Sequence, residues 1–166
     1  MRNQSKNPEM QTKEICIRYR EYSSIEELGS EDKALALEAL EAVKGSYAPY
    51  SHFNVGAAVR LDDGTIVRGA NQENAAYPSG ICAERSAMFA AGAQYPGCNI
   101  VSLAVTGGLD GKITGIPAAP CGACRQVMAQ YQTKSGRDMS IILVGADCIY
   151  KFDRVDDLLP LIFDSI

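Results

Sequence analysis

The spacing of hydrophobic residues predicts an ordered fold that begins near residue 30. Ser30 precedes two acidic residues, which is typical of a helix start, because a hydroxyl can cap free backbone amides and acidic groups favour the positive end of the helix dipole. Leu37, Leu40 and Val43 continue this segment as an apolar stripe at helical spacing. Gly45 is the predicted end of this first helix.

Turn residues and β-rich stretches predict the elements that follow. The stretches 53–61 and 65–72 flank Asp62-Asp63-Gly64, which predicts a hairpin because Gly supplies the positive φ that a tight turn needs. Beyond them we predict a helix, a strand, a second helix, a buried strand and a short terminal helix interrupted by a proline, in the segments 81–94, 99–107, 121–132, 139–146 and 154–163. This order predicts a mixed sheet with helices on both faces.

The first part of the chain has a different character. Residues 1–29 are mostly polar, with only a weak alternation at Ile15, Ile17 and Tyr19, and we interpret them as an extension of uncertain structure. Residues 30–166 are the predicted domain, because a chain of 166 residues is long enough for one substantial core and short for two.

Composition and charge narrow the classes of function. Apolar residues make up 46% of the chain and charged residues 22%, which are ordinary globular values and argue against disorder. The net charge is −4 and there is no run of basic residues, so we expect neither a nucleic acid nor an anionic membrane as partner. No apolar stretch resembles a signal peptide or a membrane span, so we expect a cytoplasmic protein.

Three of the six cysteines lie at predicted helix starts. Cys82 begins one helix, and Cys121 and Cys124 begin another as a C-x-x-C pair on one helix face. A helix start lowers the pKa of a thiol, because its unpaired backbone amides carry partial positive charge. If the two helix starts face each other, three sulfurs come together, and in a chain without signs of secretion this favours a metal or redox site.

Glu84, two residues after Cys82, suggests what a metal would do there. Three protein ligands leave one position of a tetrahedral Zn²⁺ open for water, and a carboxylate beside that position can move protons. Two simpler interpretations remain. The C-x-x-C could be a structural zinc site whose fourth ligand is Cys98, Cys148 or His52, and Glu84 could be an ordinary residue on a helix surface.

The combination C-A-E followed by P-C-x-x-C is much more specific than either part, since it matches the motif of zinc nucleobase deaminases. With it, the sequence resembles the cytidine deaminase family in its small, single-domain form. The resemblance runs from about residue 30 to the C-terminus and rests on four motifs in order: SHFNVGAAV (51–59), NQENAAYPSGICAER (71–85), PCGACRQV (120–127) and the closing LLPLIF.

The resemblance implies a fold and an activity. The implied fold is a three-layer α-β-α sandwich around a mixed sheet of about five strands, and residues 30–166 would be the catalytic domain. The implied activity is the zinc-dependent hydrolysis of cytidine and deoxycytidine to uridine and deoxyuridine in pyrimidine salvage. Cys82, Cys121 and Cys124 would bind the zinc, and Glu84 would carry the protons.

Substrate contacts are implied in the same way. Asn71 and Glu73 match the residues that recognise the ribose 3′-hydroxyl, Phe53 matches an aromatic ring that packs against the nucleoside, and the backbone of Ala83 would hold the base. The family's small members are homotetramers with sites completed by neighbouring subunits. Phe163 matches the aromatic residue after the L-L-P motif, so we expect it to reach the base in an adjacent subunit.

Charge adds one more expected site residue. Three thiolates on one Zn²⁺ leave the cluster with a net negative charge, which weakens its pull on a bound water. We therefore predict that Arg85 donates hydrogen bonds to ligand sulfurs. The alternative for Arg85 is a surface ion pair. His52 is expected to be a bystander, and the remaining cysteines, Cys16, Cys98 and Cys148, to be small packed residues.

Two rival functions stay open at the level of sequence. A deaminase of the same fold could act on a modified cytosine nucleoside such as blasticidin S, although Asn71 and Glu73 favour an ordinary ribose. A structural zinc module would need four filled metal positions and would have no need of Glu84. Nucleic-acid deaminases typically have a histidine as the first ligand and often a basic surface, and this chain has neither.

Overall fold

A six-stranded mixed sheet is the middle layer of the computed structural model, which describes residues 11–164 of the chain. The strands lie in the order β1-β6-β5-β4-β2-β3. Their bounds are Arg20–Tyr22 (β1), Phe53–Leu61 (β2), Ile66–Ala70 (β3), Ile100–Leu109 (β4), Ser140–Val144 (β5) and Ile149–Phe152 (β6). β4 and β5 run parallel, and the other neighbouring pairs are antiparallel.

Helices cover both faces of this sheet, which confirms the three-layer arrangement. Their bounds are Ser30–Ala42 (α1), Ala83–Gln94 (α2) and Gly122–Ser135 (α3). α1 packs on one face, where its buried side chains meet small and branched residues of the central strands. α2 and α3 bury their methionines, Met88 and Met128, in the larger core on the other face. No helix among residues 11–164 has the length and hydropathy needed to cross a membrane.

The predicted hairpin is confirmed. β2 and β3 pair antiparallel on either side of the turn, and Gly64 adopts a φ of 88°. This positive φ is accessible to Gly at little cost because it lacks a Cβ. β3 ends at Ala70, so the hairpin delivers the following polar residues, Asn71 to Glu73, to one end of the sheet.

Two local predictions were wrong. Leu37 is 48% exposed, and the buried face of α1 consists of Leu35, Ala36, Ala39 and Ala42. Small alanines let α1 approach the sheet closely, so the wider leucine lies at the margin. The terminal helix is reduced to one short 3₁₀ turn, Val155–Asp157, because Pro160 lacks the N–H that would continue a helix.

The sheet has one strand more than the resemblance implies, because part of the extension joins it. β1 lies within residues 1–29 and pairs antiparallel with β6, with Tyr22 opposite Ile149. Tyr19, just before β1, stacks against Phe152 at a ring distance of 5.3 Å. A three-residue strand with only polar and aromatic side chains is too short to be recognised from its hydrophobic pattern alone.

Candidate active site

Two helix starts bring the three predicted thiols together. Cys82 is the N-cap of α2 and Cys121 the N-cap of α3. Their carbonyls accept the first helical hydrogen bonds, from the backbone N–H groups of Ser86 and Arg125, at 3.0 Å each. With Cys124 in the first turn of α3, the three sulfurs lie within 4.8 Å of one another, as three ligands of one ion require.

Close packing of α2 on β3 fixes the height of Cys82 above the sheet. A Cβ on Gly69 of β3 would lie 2.3 Å from the backbone N of Ala87 and 2.6 Å from the carbonyl O of Ala83. Both distances are shorter than real side chains tolerate, so Gly is required where these two backbones meet. The first turn of α2, which carries Cys82 and Glu84, is thereby held against the sheet.

The donor set fits a thiophilic ion. The pKa of Cys82 is lowered to about 5, first because the Cys124 thiol donates a hydrogen bond to it and then because of Arg85. The pKa of Cys124 is raised in turn by the same hydrogen bond and by burial. Tetrahedral zinc sites in proteins use such thiolates at about 2.3 Å. Among residues 11–164, no histidine, further cysteine or acidic side chain joins this cluster as a fourth ligand.

Arg85 occupies the position that the charge argument requires. Its Nη2 lies 3.6 Å from the Cys82 sulfur, to which it donates a hydrogen bond. The side chain is partly buried and has no carboxylate partner in the described part of the chain, so the alternative of a surface ion pair does not apply. Whether Arg85 tunes a bound metal stays a prediction.

Glu84 is a buried carboxyl group in the first turn of α2, with only 5% of its surface exposed. Burial raises the pKa of its side chain, because the charged form loses contact with water, and the neighbouring Cys82 adds to this effect. A carboxyl group whose pKa lies above its usual range can both accept and return a proton near neutral pH. The interpretation of Glu84 as an ordinary surface residue is therefore wrong.

A cavity of about 380 Å³ opens above these groups. Seven of the predicted site residues line it: Phe53, Asn71, Glu73, Cys82, Glu84, Arg85 and Cys121. Ala83 is fully buried beneath the cavity. Phe163 lies outside it, with 68% of its surface exposed.

Part of the cavity wall was missed by sequence reasoning. Ile81, Val105, Ala118 and Ala119 supply apolar surface, and Tyr77 stands at the margin. Ala118 and Ala119 directly precede Pro120 and the predicted metal ligand Cys121. This closeness along the chain could have indicated that they line the site. The other apolar residues come from a strand and from the turn before α2, where the sequence shows only ordinary core residues.

Asn71 is held firmly by its surroundings. Its Oδ1 accepts hydrogen bonds from the Ser46 hydroxyl at 2.5 Å and from the backbone N–H of Val55 at 2.8 Å, and its Nδ2 donates to the Phe53 carbonyl at 2.9 Å. Asn54 donates to the same Ser46 oxygen at 3.0 Å. A primary amide has two N–H groups, so one donor of Asn71 remains for a ligand.

Glu73 is fixed in a comparable way. Its Oε2 accepts hydrogen bonds from the backbone N–H groups of Tyr50, at 2.8 Å, and Ser51, at 3.2 Å, and the Ser51 hydroxyl donates to Oε1. These bonds lower the pKa of the Glu73 carboxyl group, with the Ser51 hydroxyl as the largest cause. Glu73 is thus held ionised at the cavity, ready to accept a further hydrogen bond.

A second arginine, Arg125, connects the thiol cluster to the C-terminal segment. Its Nε donates to the Pro120 carbonyl and its Nη1 to the Leu158 carbonyl, both at 2.8 Å. The next residue, Gln126, donates to the carbonyl of Phe163 at 2.7 Å. Sequence reasoning missed these ties, since their acceptors are backbone groups far away along the chain.

The remaining candidate ligands lie apart from the cluster. His52 is exposed, with its Nδ1 3.6 Å from Asp110, and Cys98 contacts Asp63 at 3.6 Å. Cys148 is buried, as expected, whereas Cys16 is exposed, and its prediction as a packed residue was wrong because the segment around it lies on the surface. None of the proposed fourth ligands of a structural zinc site reaches the three thiols.

Comparison with known proteins agrees with this geometry. Residues 29–136 match the family model described as the cytidine and deoxycytidylate deaminase zinc-binding region. A cytidine deaminase of Sporosarcina psychrophila is 44% identical over 131 residues, which cover 79% of this chain and 90% of the relative. One from Halalkalibacterium halodurans is 48% identical over 96 residues, which cover 58% of this chain and 68% of the relative.

Solved structures give the same result. The crystal structure of a cytidine deaminase from Burkholderia pseudomallei is 39% identical, with a TM-score of 0.67, and the match covers 78% of this chain and 97% of that one. The cytidine deaminase of Mycobacterium tuberculosis is 32% identical, with a TM-score of 0.64, over 82% of this chain and 100% of that one. The resemblance of the four motifs is confirmed, and this chain belongs to the cytidine deaminase family.

Proposed function

We propose that this protein catalyses the hydrolytic deamination of cytidine and deoxycytidine to uridine and deoxyuridine, with release of ammonia, as a cytoplasmic enzyme of pyrimidine salvage. The observation that carries the proposal is the buried carboxyl group of Glu84 beside three converging thiols at the floor of one cavity. Residues 30–166 form the catalytic domain in this proposal, in keeping with the start of the family match at residue 29.

Cys82, Cys121 and Cys124 would hold the metal, which we propose is Zn²⁺. Three thiols at helix starts suit this ion, and the absence of a fourth ligand among the described residues suits a catalytic site better than a structural one. When bound, the zinc supplies Lewis-acid activation that makes a water molecule a nucleophile near neutral pH.

Glu84 moves the protons of the reaction. It takes one proton from the attacking water and delivers it to N3 of the cytosine ring, while the water oxygen bonds to C4. It then takes the second proton and delivers it to the amino group, so that the C4–N bond breaks and ammonia leaves. The water oxygen stays on C4 as the carbonyl of uridine. Burial suits this role, because it keeps bulk water from competing for these protons.

Asn71 and Glu73 would hold the ribose. The free N–H of Asn71 donates to the 3′-hydroxyl and the Glu73 carboxylate accepts from it, so both hydrogen-bonding roles of that hydroxyl are met. Phe53 packs against the nucleoside from the cavity wall, and the backbone of Ala83 binds the base at the start of α2. Both deoxycytidine and cytidine carry the 3′-hydroxyl, so these contacts admit either.

The assembly we propose is a homotetramer whose sites are shared between subunits. Phe163 and Leu161 are two of the most exposed large apolar side chains of the described chain, and Phe163 is not among the residues that line the cavity of its own chain. Its carbonyl is nonetheless held by Gln126, so the side chain projects from an anchored backbone. We propose that Phe163 stacks on the base bound in an adjacent subunit.

A single substitution tests the central assignment. Glu84→Gln keeps the size of the side chain but cannot carry a proton, so we expect it to retain zinc and to lose at least about 99% of the turnover. Zinc content and ultraviolet-followed deamination of cytidine are measured on the same preparation. Glu41→Gln, which changes an exposed glutamate of α1, is the control and should match the parent. Loss of zinc in Glu84→Gln, or turnover like the parent's, would contradict the assignment.

A modified cytosine nucleoside such as blasticidin S is the rival substrate. Hydrogen bonds hold the side chains of Asn71 and Glu73 at the cavity, where they could bind a ribose hydroxyl, and this favours an ordinary nucleoside as substrate. Comparing kcat/KM for cytidine, deoxycytidine and blasticidin S separates the two proposals, and a higher value for blasticidin S would reverse our choice.

A further inference from the structure

The outer edge of β1 has no partner in the described part of the chain. Among residues 11–164, β6 is the only strand that pairs with β1, so the opposite edge of β1 presents free backbone groups. Residues 11–19 lead into this strand without a helix, turn or bend, and all of them are exposed. Such an edge can accept another strand.

The side chains along this segment alternate as in a strand with one buried face. Ile15, Ile17 and Tyr19 lie on one side, and each is at least 50% exposed. Tyr19 shows which side this is, because its ring contacts Tyr150 at 5.0 Å and Phe152 at 5.3 Å. The segment before β1 thus carries an apolar side on the face where Tyr150 and Phe152 lie, and among residues 11–164 nothing covers Ile15 and Ile17.

The sequence of this segment is complementary to itself in one antiparallel register. If two copies pair about Ile17, the charged residues at positions 13, 14, 20 and 21 face residues of opposite charge, and Ile15, Ile17 and Tyr19 face apolar residues. The opposed pairs are Ile17 with Ile17, Cys16 with Arg18, Ile15 with Tyr19, Glu14 with Arg20, and Lys13 with Glu21. Arg20 also forms an ion pair with Asp153 of its own chain, and both side chains are more than half exposed. Opposite charges directly across two strands stabilise a pair, whereas like charges destabilise it.

Neighbouring registers lose this complementarity. A slip of one residue in one direction places Glu14 opposite Glu21, and a slip in the other direction places Lys13 opposite Arg20. Either slip also sets Ile15 opposite an arginine, since side chains alternate between the two faces. The register about Ile17 is therefore distinguished from both of these by charge and by apolar contact.

We propose that residues 13–21 pair antiparallel, in the register about Ile17, with the same segment of a second copy of this chain. A two-fold axis through the Ile17 pair makes the contact self-complementary, which closes it at two copies. In this register Arg20 and Glu21 of β1 face Glu14 and Lys13 of the second copy, so the outer edge of each β1 is covered by the other copy's segment. This surface is separate from the cavity and from Phe163, so the inference goes beyond the proposed function.

Engineered disulfides test the register. Residues directly opposite in an antiparallel pair have Cα atoms about 4.5 to 5.5 Å apart, which a disulfide can span. In a Cys16→Ser background, Ile17→Cys should therefore form cross-linked dimers on mild oxidation of the zinc-loaded protein. Ile15→Cys is the matched control, because its counterpart in the second copy lies four residues along the strand, about 13 Å away, and should not cross-link.

A charge exchange tests the pairing by a second route. In the Ile17→Cys protein, Lys13→Glu places like charges opposite each other at both ends of the contact and should slow cross-linking about fivefold. Adding Glu21→Lys restores opposite charges and should restore the rate. Deamination of cytidine is measured throughout as the check that the variants are folded.

The cross-linking and charge-exchange results together decide whether residues 13–21 of two copies pair in this register. Cross-linking of Ile17→Cys but not Ile15→Cys, with recovery in the double charge exchange, supports it. Equal cross-linking of the two cysteine variants, no cross-linking of Ile17→Cys in active protein, or a double exchange as slow as Lys13→Glu alone would overturn it.

Discussion

At the scale of single residues, Arg85 places a positive charge beside the thiol cluster, with its Nη2 3.6 Å from the Cys82 sulfur. Its hydrogen bond to the Cys82 sulfur helps to hold the pKa of that thiol low, and its partly buried position gives it no competing carboxylate in the described chain. Groups of this kind tune metal sites without binding the metal, by drawing electron density from a ligand. Removing the guanidinium should therefore weaken zinc binding or slow the reaction.

We predict that Arg85→Gln lowers zinc affinity or kcat/KM by about 10- to 100-fold. Zinc affinity is measured by competition with a chelator, and kcat/KM with cytidine. Arg137→Gln, which removes an exposed arginine, should leave both unchanged. Values for Arg85→Gln equal to the parent's would show that the contact with Cys82 is incidental.

The residues of the site differ in how far the sequence reveals them. The positions of Cys82, Glu84 and the C-x-x-C pair could be predicted, because helix starts and short spacings are local properties. The ties of Arg125 could not, since one acceptor is the Leu158 carbonyl, 33 residues away, and any residue type offers a carbonyl. Interactions with a distant backbone leave no trace in residue type.

At the scale of elements, α1 is fastened to the sheet by a small charge network. Asp32, near the start of α1, forms an ion pair with Lys151 of β6 and lies 3.9 Å from Arg60 of β2. All three side chains are less than one fifth exposed. Arg60 also pairs with Glu31 at 2.9 Å, but the Glu31 side chain is 80% exposed. Glu31 and Asp32, which are neighbours in the first turn of α1, thus differ mainly in how far their side chains are buried.

We predict that Asp32→Asn lowers the free energy of unfolding by about 1 to 3 kcal/mol, because it leaves two partly buried cations without their shared carboxylate. Glu31→Gln is the matched control and should cost about 0 to 1 kcal/mol, as exposed ion pairs do. Urea denaturation of the three proteins measures both values. Equal destabilisation by the two substitutions would show that burial does not govern this network.

Arg125 of α3 joins this helix to the residue before Cys121 and to the C-terminal segment, through the carbonyls of Pro120 and Leu158. We predict that Arg125→Gln weakens zinc retention and raises the KM for cytidine, each by roughly tenfold, because it frees the carbonyl that precedes Cys121 and loosens the C-terminal segment at Leu158. Gln130→Ala, on the exposed side of α3, is the control. Arg125→Lys, which cannot reach two carbonyls with the same planar fork, should fall between the two. A parent-like KM in Arg125→Gln would contradict the tie between these segments.

The elements were predictable where the pattern was long and regular. The β2–β3 hairpin and the helices α2 and α3 have strong local signals, and the structure contains them. The prediction of the buried face of α1 was wrong because it followed the larger apolar residues. The side chains that α1 buries are mostly alanines, which stand out less in the sequence. β1 depends on β6 for its existence, and pairing between distant strands does not show in either sequence alone.

At the scale of the whole molecule, the proposed tetramer with shared sites predicts that Phe163 contributes to substrate binding. Phe163→Ala should raise the KM for cytidine and keep the zinc, because ring stacking on the base is worth about 0.5 to 1.5 kcal/mol beyond area burial. Light scattering of the parent should show a single species near four chains. A monomer would exclude sharing.

Subunit mixing locates Phe163 more sharply. Phe163→Ala and Glu84→Gln chains are dissociated, mixed and reassembled, so that some sites receive Glu84 from one chain and Phe163 from the other. Activity per Glu84-bearing site should then rise above that of the Phe163→Ala protein alone. Without such a rise, each subunit would supply its own Phe163.

The contact of Gly69 with α2 also bears on how the substrate range of this enzyme could be redesigned. Because the backbones of β3 and α2 touch there, a larger residue at position 69 would shift the first turn of α2, which carries both Cys82 and Glu84. Ala118 and Ala119 also line the cavity, and they lie in the loop that leads to α3. Changes of substrate size are therefore best sought at these two alanines, where a larger side chain would narrow the cavity while the first turn of α2 stays in place.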